Sequence, residues 1–227
     1  MKNSDLEILL EAETFADKVI KKIIDYSLKH PKSSRFVVND VEIFIETGNN
    51  EFSAIYFPKE ETVKAHIIIC GFAIYRTFKN IKTKNREFFN KFPNAISDFH
   101  KHIMKTKHIL IHEYIHHYDD THNSKLFNKL VSTRAPIKKN QRKYKEDIFY
   151  YNEPTEINAH FFSIMSHLIH LPNRNFLEFK RKFYKKYKEL NKNFKVSMLF
   201  KYNKKLLDKR LLSFFKELKE PINSING

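Results

Sequence analysis

Residues 109–120 read Ile109-Leu110-Ile111-His112-Glu113-Tyr114-Ile115-His116-His117-Tyr118-Asp119-Asp120, and this stretch decides how the rest of the chain is read. Three apolar residues lead into the pattern H-E-x-x-H. The run falls within a predicted long helix, residues 98–118, preceded by Pro93 and Ser97. The apolar lead buries that helix, and a Glu and two His in a buried place need partners, because polar groups lose free energy when they leave water unpaired. Positions i and i+4 share a helix face, so His112 and His116 can reach one metal ion. Glu113 beside the first His points toward the open side of such an ion, where a carboxylate can take a proton from water.

Upstream of this helix the hydrophobic period changes twice. Ile8, Ala12, Phe15, Val19 and Ile23 recur at helical spacing and predict an amphipathic helix over 5–29, ended by Pro31. Phe36–Val38, Val41–Glu46 and Glu51–Phe57 then alternate with a period of two. Asn39-Asp40 and Thr47-Gly48-Asn49-Asn50 supply turn chemistry between them. A fourth strand, His66–Ile74, is nearly all apolar and is expected to be buried on both faces. Residues 35–75 therefore predict a small, mostly antiparallel sheet. Downstream only helices are expected, over 84–92, 124–132, 154–170, 174–192 and 197–219, with a mobile basic loop at 133–149. Pro154 suits the first position of its helix and Pro172 follows the end. The fold class is α+β. Residues 1–172 are expected to form the main domain, with 173–227 a basic helical extension packed on it.

Composition limits what such a domain can be. The chain has 227 residues, 41% of them apolar, with 22 Phe and 11 Tyr, enough for a core without covalent staples. A single Cys, Cys70, excludes a disulfide framework and any Cys-rich zinc module. Cys70 lies in an apolar strand and is read as inert core. Acids at Asp5, Glu7, Glu11, Glu13 and Asp17 are unlike a secretory or mitochondrial leader, so the expected compartment is the cytoplasm, of a bacterial or phage-infected cell, with no signal peptide. The apolar run Ile67–Tyr75 is too short to span a bilayer, so no transmembrane segment is expected. The net charge is +16. Between Arg174 and Glu220 lie 16 Lys and Arg against 5 Asp and Glu, a net +11. The same region carries a helical stripe of Phe176, Phe179, Phe183 and Tyr187, so its helices pack while presenting a basic face. Such a face can be simply solvated, or it can meet nucleic acid.

Two His do not complete a catalytic zinc site, which needs a third protein ligand and one position for water. Glu156, within Tyr151-Asn152-Glu153-Pro154-Thr155-Glu156, falls in the first turn of a helix that can lie against the active helix. Ala159 is small enough to allow close approach there. His122 is the other candidate and gives the metzincin spacing H-E-x-x-H-x-x-D-x-x-H, although Asp119 stands where those enzymes use Gly for a sharp turn. Glu153 is a further alternative. Ser163-Ile164-Met165-Ser166 imitates a metzincin Met-turn but falls in a helical pattern, so Met165 is read as core. Asp119 and Asp120 either support a ligand imidazole through its free N–H or end the helix. Tyr150 or Tyr151 can donate to a developing oxyanion, His160 lies one turn after Glu156, and His117 points off the metal face.

The segments HEYIHHYDD, at His112–Asp120, and YYNEPTEINAH, at Tyr150–His160, resemble the gluzincin zinc peptidases, in which a Glu on a second helix completes the site. The resemblance covers residues 35–170 and also fits small H-E-x-x-H peptidase-like proteins of phages and bacteria. It implies a minimal gluzincin fold and Zn2+ held by His112, His116 and Glu156. Glu113 would be the general base. Apart from the resemblance, Tyr151 is the expected oxyanion donor, and the expected substrate is a protein or peptide added as a strand to the sheet edge at 66–74. A second resemblance, at His122-Asn123-Ser124-Lys125-Leu126-Phe127, is to SprT/Spartan-like proteases, which act on proteins attached to DNA. A contrasting expectation is a nucleic-acid-associated binding protein on an inactive peptidase scaffold, using the basic 174–220 region.

Overall fold

A computed structural model describes residues 3–27, 34–46, 54–59, 64–70, 78–123, 154–172, 175–190 and 199–219. The chain is α+β. Among the described residues its longer helices are α1 (Asp5–Ser27), α2 (Arg86–Lys91), α3 (Ala95–His122), α4 (Pro154–Leu168), α5 (Phe176–Leu190) and α6 (Leu199–Lys219), and residues 78–82 add a short helical turn. Its strands are β1 (Ser34–Val38), β2 (Val41–Glu46), β3 (Ala54–Phe57) and β4 (His66–Cys70). Among the described residues no helix is long and apolar enough to cross a membrane. The expected helix over 124–132 and the loop over 133–149 lie outside the described residues. The chain groups into two compact units, residues 11–124 and residues 1–10 with 125–227.

The first unit is built on a four-stranded sheet of order β1-β2-β4-β3. β1 and β2 form a hairpin whose turn, Asn39-Asp40, has positive φ at both residues, 48° and 63°. That backbone suits a two-residue hairpin turn, and Asn and Asp tolerate it better than bulkier residues. β4 pairs parallel with β2 and antiparallel with β3, so the sheet is mixed, with two antiparallel pairings. β4 is central. The expectation that the 66–74 segment offers a free edge is therefore corrected: the outer strands are β1 and β3. An apolar run identifies an interior strand but says nothing about its neighbours.

One face of this sheet is core. Phe36, Val38, Ile43, Ile45, Tyr56, Ile67 and Ile69 are buried there. From α1, Ala12, Phe15, Ala16, Val19 and Ile23 are buried, and from α3, Leu110, Ile111, Tyr114 and Ile115. Phe15 stacks on Tyr114 with ring centroids 4.5 Å apart, and Lys107 of α3 pairs with Asp17 of α1 at 2.9 Å. The opposite face is more open. Val37 is 46% exposed and Ile55 56%, while Ile68 and His66 are half-buried. The expectation of burial on both faces of β4 does not hold, since residue types alone cannot tell a two-sided strand from one whose outer side is shaded only by neighbours. Here those neighbours are rings: Phe57 stacks on His66 at 4.7 Å and Phe44 meets its edge at 5.4 Å.

The second unit is helical. Phe161, Phe162, Ile164, Met165 and Leu168 of α4 are buried, as are Phe179 and Phe183 of α5 and Leu211 and Phe214 of α6. Phe161 meets Phe183 at 5.8 Å and Phe214 at 6.2 Å. The Arg210 guanidinium lies 4.0 Å over the Phe161 ring and grips Asp5 through two hydrogen bonds, of 2.6 and 2.9 Å. Asp208 ties α6 to α5 by accepting from Lys180 at 2.6 Å and the Tyr184 hydroxyl at 2.7 Å. Residues 163–166 are helical, so the Met-turn reading is excluded and Met165 is core.

The contrast between the two sheet faces sets a stability test. Phe15→Ala removes a fully buried ring and is expected to cost about 3–5 kcal/mol. Ile55→Thr on the open face should change stability by under about 0.5 kcal/mol. Urea denaturation of both variants decides the matter, and comparable losses would contradict the assignment of core to one face.

Candidate metal centre

The helix that carries His112 and His116 is longer than its apolar pattern suggests. α3 starts at Ala95, after Asn94, and runs 28 residues to His122, where the Asn123 N–H donates to the Asp119 carbonyl at 2.8 Å. The helical register places His112 and His116 one turn apart, and their Nε2 atoms lie 3.2 Å from each other. The rings stand nearly perpendicular, at 84°. Two nitrogens about 2.05 Å from a tetrahedral ion would be about 3.3 Å apart, so the pair already has the spacing that zinc coordination needs. A ligand oxygen of Glu156 joins them, the three ligand atoms all lying within 4.8 Å of one another. His116 and Glu156 are buried, Glu156 to 1% exposure, and His112 is half-buried. Concentrating imidazole nitrogens and a carboxylate away from water is costly unless a cation or protons balance them. This group could bind a metal ion.

His122 is not part of the group. It lies six residues beyond His116 on an unbroken helix, about 240° around the axis, so it cannot share the face of His112 and His116. Its ring instead stacks on Tyr118 at 4.0 Å, and its Nδ1 bonds to the Tyr118 carbonyl at 3.0 Å. The metzincin geometry needs the chain to turn at Asp119, and here Asp119 is inside the helix. Neither Asp119 nor Asp120 ends it. Asp119 is buried, and its carboxylate accepts from the Asn123 amide at 3.4 Å. His160 is half-buried on α4 and stands outside the group of three. Glu153, Tyr150 and Tyr151 lie outside the described residues.

Glu113 has a partner that the sequence did not disclose. Its Oε2 accepts the backbone N–H of Tyr56 at 2.8 Å. In a strand the N–H lies in the plane of the sheet, so this one points away from β4 and toward the edge of β3 that no described strand pairs. The buried carboxylate thus sits on the outer edge of the sheet. Tyr56 is fastened a second time by its side chain. Its hydroxyl donates to Asp120 Oδ2 at 2.7 Å and lies 3.3 Å from His117 Nδ1. Glu113 and Asp120 are seven residues apart, two turns of helix, and so lie on one side of α3. Burial, with Asp120 adding to it, pushes the Tyr56 hydroxyl well above the ordinary tyrosine range and keeps it a donor. Burial also lowers His117, against the opposing pull of Asp120, favouring the neutral ring. The only signal for this contact in the sequence was that Tyr56 occupies the inward position of Ala54-Ile55-Tyr56-Phe57; nothing in the strand pattern names the helix residue that it meets.

Comparison with protein-family models, with curated proteins and with solved structures finds no match to this chain.

The Tyr56 hydroxyl can be tested alone. Tyr56→Phe keeps the ring and the backbone N–H but leaves Asp120 without its donor. It should lower stability by about 1–2 kcal/mol. The readout is the urea midpoint at constant slope, and an unchanged midpoint would mean that water replaces the hydroxyl at no cost.

Proposed function

We propose that the chain is a zinc-dependent endopeptidase of the gluzincin type. The observation that supports this reading most is the group His112, His116 and Glu156, with the two imidazole nitrogens 3.2 Å apart. Two neutral nitrogens and one carboxylate form a donor set suited to zinc, and three protein ligands leave a coordination position for water or substrate. When bound, the metal would supply the Lewis acidity that polarises a peptide carbonyl and makes water nucleophilic near neutral pH.

The protein's own groups do the proton work. Glu113 accepts the proton of the attacking water and delivers it to the departing amine, so one carboxylate serves as base and then acid. Tyr151 is assigned the hydrogen bond to the developing oxyanion. The substrate is an extended peptide added along β3, one of the two outer strands, and not along β4. In the free protein the edge N–H of Tyr56 is taken by Glu113. A substrate carbonyl accepting that N–H would displace the carboxylate and release it for proton transfer. The base is thereby held idle until a strand arrives.

Metal content tests the site and hydrolysis tests the mechanism. Elemental mass spectrometry of the purified chain should find about one zinc per chain, kept in His122→Ala and lost in Glu156→Ala. Zinc absent after reconstitution would remove the basis for the proposal and leave the pattern as a relic of a peptidase scaffold. With zinc present, Glu113→Gln should cut hydrolysis of a quenched, unfolded protein substrate by about 10²–10⁴-fold. Undiminished cleavage by that variant would sink the assigned role of Glu113.

A further inference from the structure

The positive charge of α5 and α6 is sorted by position. Some of it is neutralised inside the helical unit. Lys180 pairs with Asp208, Lys182 with Glu178, Lys186 with Glu189 at the longer distance of 3.9 Å, and Arg210 with Asp5. Other cations lie on the outer faces. On α5, Arg181, Lys185 and Lys188 are exposed at i, i+4 and i+7, opposite the buried Phe179, Phe183 and Tyr187. On α6, Lys205, Lys209 and Lys216 are exposed along one stripe, opposite the buried Leu211 and Phe214. Among the described residues, none of these six cations has a carboxylate within ion-pair distance. Of the two acids adjacent in sequence to the α6 stripe, Asp208 is occupied by Lys180 and Tyr184, and Glu217 accepts the Leu6 N–H at 3.2 Å.

We infer that the outer faces of α5 and α6 bind the phosphodiester backbone of nucleic acid without reading its sequence. Successive cations four residues apart on a helix are about 6 Å apart along the axis, a spacing that lets neighbouring side chains take separate phosphates. Tyr184, the aromatic residue beside the α5 stripe, is half-buried and its hydroxyl is given to Asp208, so base stacking adds little and electrostatics dominate. A membrane surface fits less well. A helix lying in a lipid interface buries its apolar face in the bilayer. The aromatic face of α5 is already spent on the protein core, where Phe179 and Phe183 are buried. The inference does not depend on the metal centre and stands whether or not the chain hydrolyses peptides.

The test uses the full chain and fluorescently labelled probes: a mixed-sequence DNA duplex, an RNA duplex of the same sequence, and phosphatidylserine-containing vesicles. If all six cations engage phosphates, DNA affinity should fall by about 10³-fold between 50 and 200 mM salt, a log–log slope of about −5. Arg181→Ala with Lys185→Ala and Lys188→Ala should reduce that slope in magnitude by about 2.7. Replacing Arg181 by Lys, with Lys185 and Lys188 intact, should restore it. A control with Lys79, Lys82 and Lys91 all changed to Ala removes the same charge elsewhere and should leave the slope near the wild-type value. Melting curves establish that the variants remain folded. Equal DNA and RNA binding would support backbone recognition by either polymer, and a preference would show which the face takes. No binding at 50 mM salt, an equal loss in the control, or binding to vesicles and not to nucleic acid would each overturn the inference.

Discussion

A carboxylate buried beside apolar residues has to be satisfied, and the hydrogen bond from the Tyr56 N–H to Glu113 meets that requirement. The same bond closes an edge N–H that no described strand pairs. Two unfavourable groups, a buried acid and an open sheet edge, thus cancel in one contact. The rest of the first unit is consistent with it. α3 must lie along β3 for Glu113 to reach, which brings Asp120 to the Tyr56 hydroxyl two turns later. The opposite flank of α3 is fixed by α1, through Phe15 on Tyr114 and through the hydrogen bond of the Tyr114 hydroxyl to Glu11. With the helix held on both sides, the face carrying His112 and His116 has little freedom to rotate.

Much of the architecture was legible because the chain signals its periods strongly. The helix over residues 5–29, the hairpin at Asn39-Asp40 and the helix opening at Pro154 each rest on a local rule, and each occurs close to its expected bounds. The register and order of the strands were not legible. Placing β4 between β2 and β3 is decided by pairing across the sheet, and an apolar run such as Ile67-Ile68-Ile69 is compatible with several positions in it. The length of α3 was underestimated at both ends, because Asp119 and Asp120 resemble a terminus when read alone. Buried acids with partners do not end a helix.

The candidate site divides in the same way. His112 and His116 follow from the one-turn repeat of a helix, and the choice between Glu156 and His122 turns on whether the chain bends after His116. Spacing could offer both. The helix running through Asp119 decides for geometry in which His122 is occupied by Tyr118. The role of Tyr56 was hidden because it arises from a strand meeting a helix 57 residues later in the chain. Local patterns carry no record of such a partner. Tyr151 lies outside the described residues.

The strand order also imposes a sequence of events on folding. The β1–β2 hairpin closes through two residues and can form early, and α1 and α3 need only local bonds. Among the described residues β3 pairs with β4 alone. β3 and β4 lie close in the chain, with Phe57 pairing His66, so this antiparallel pair can close before the parallel β2–β4 pairing, which has the larger loop-closure cost. The edge strand that meets Glu113 can therefore be in place before the centre of the sheet is joined. The helix Ala95–His122 follows both strands in the chain, so Glu113 can meet a β3 that is already braced by β4 on its other side, and the helix is then set in place against a finished edge.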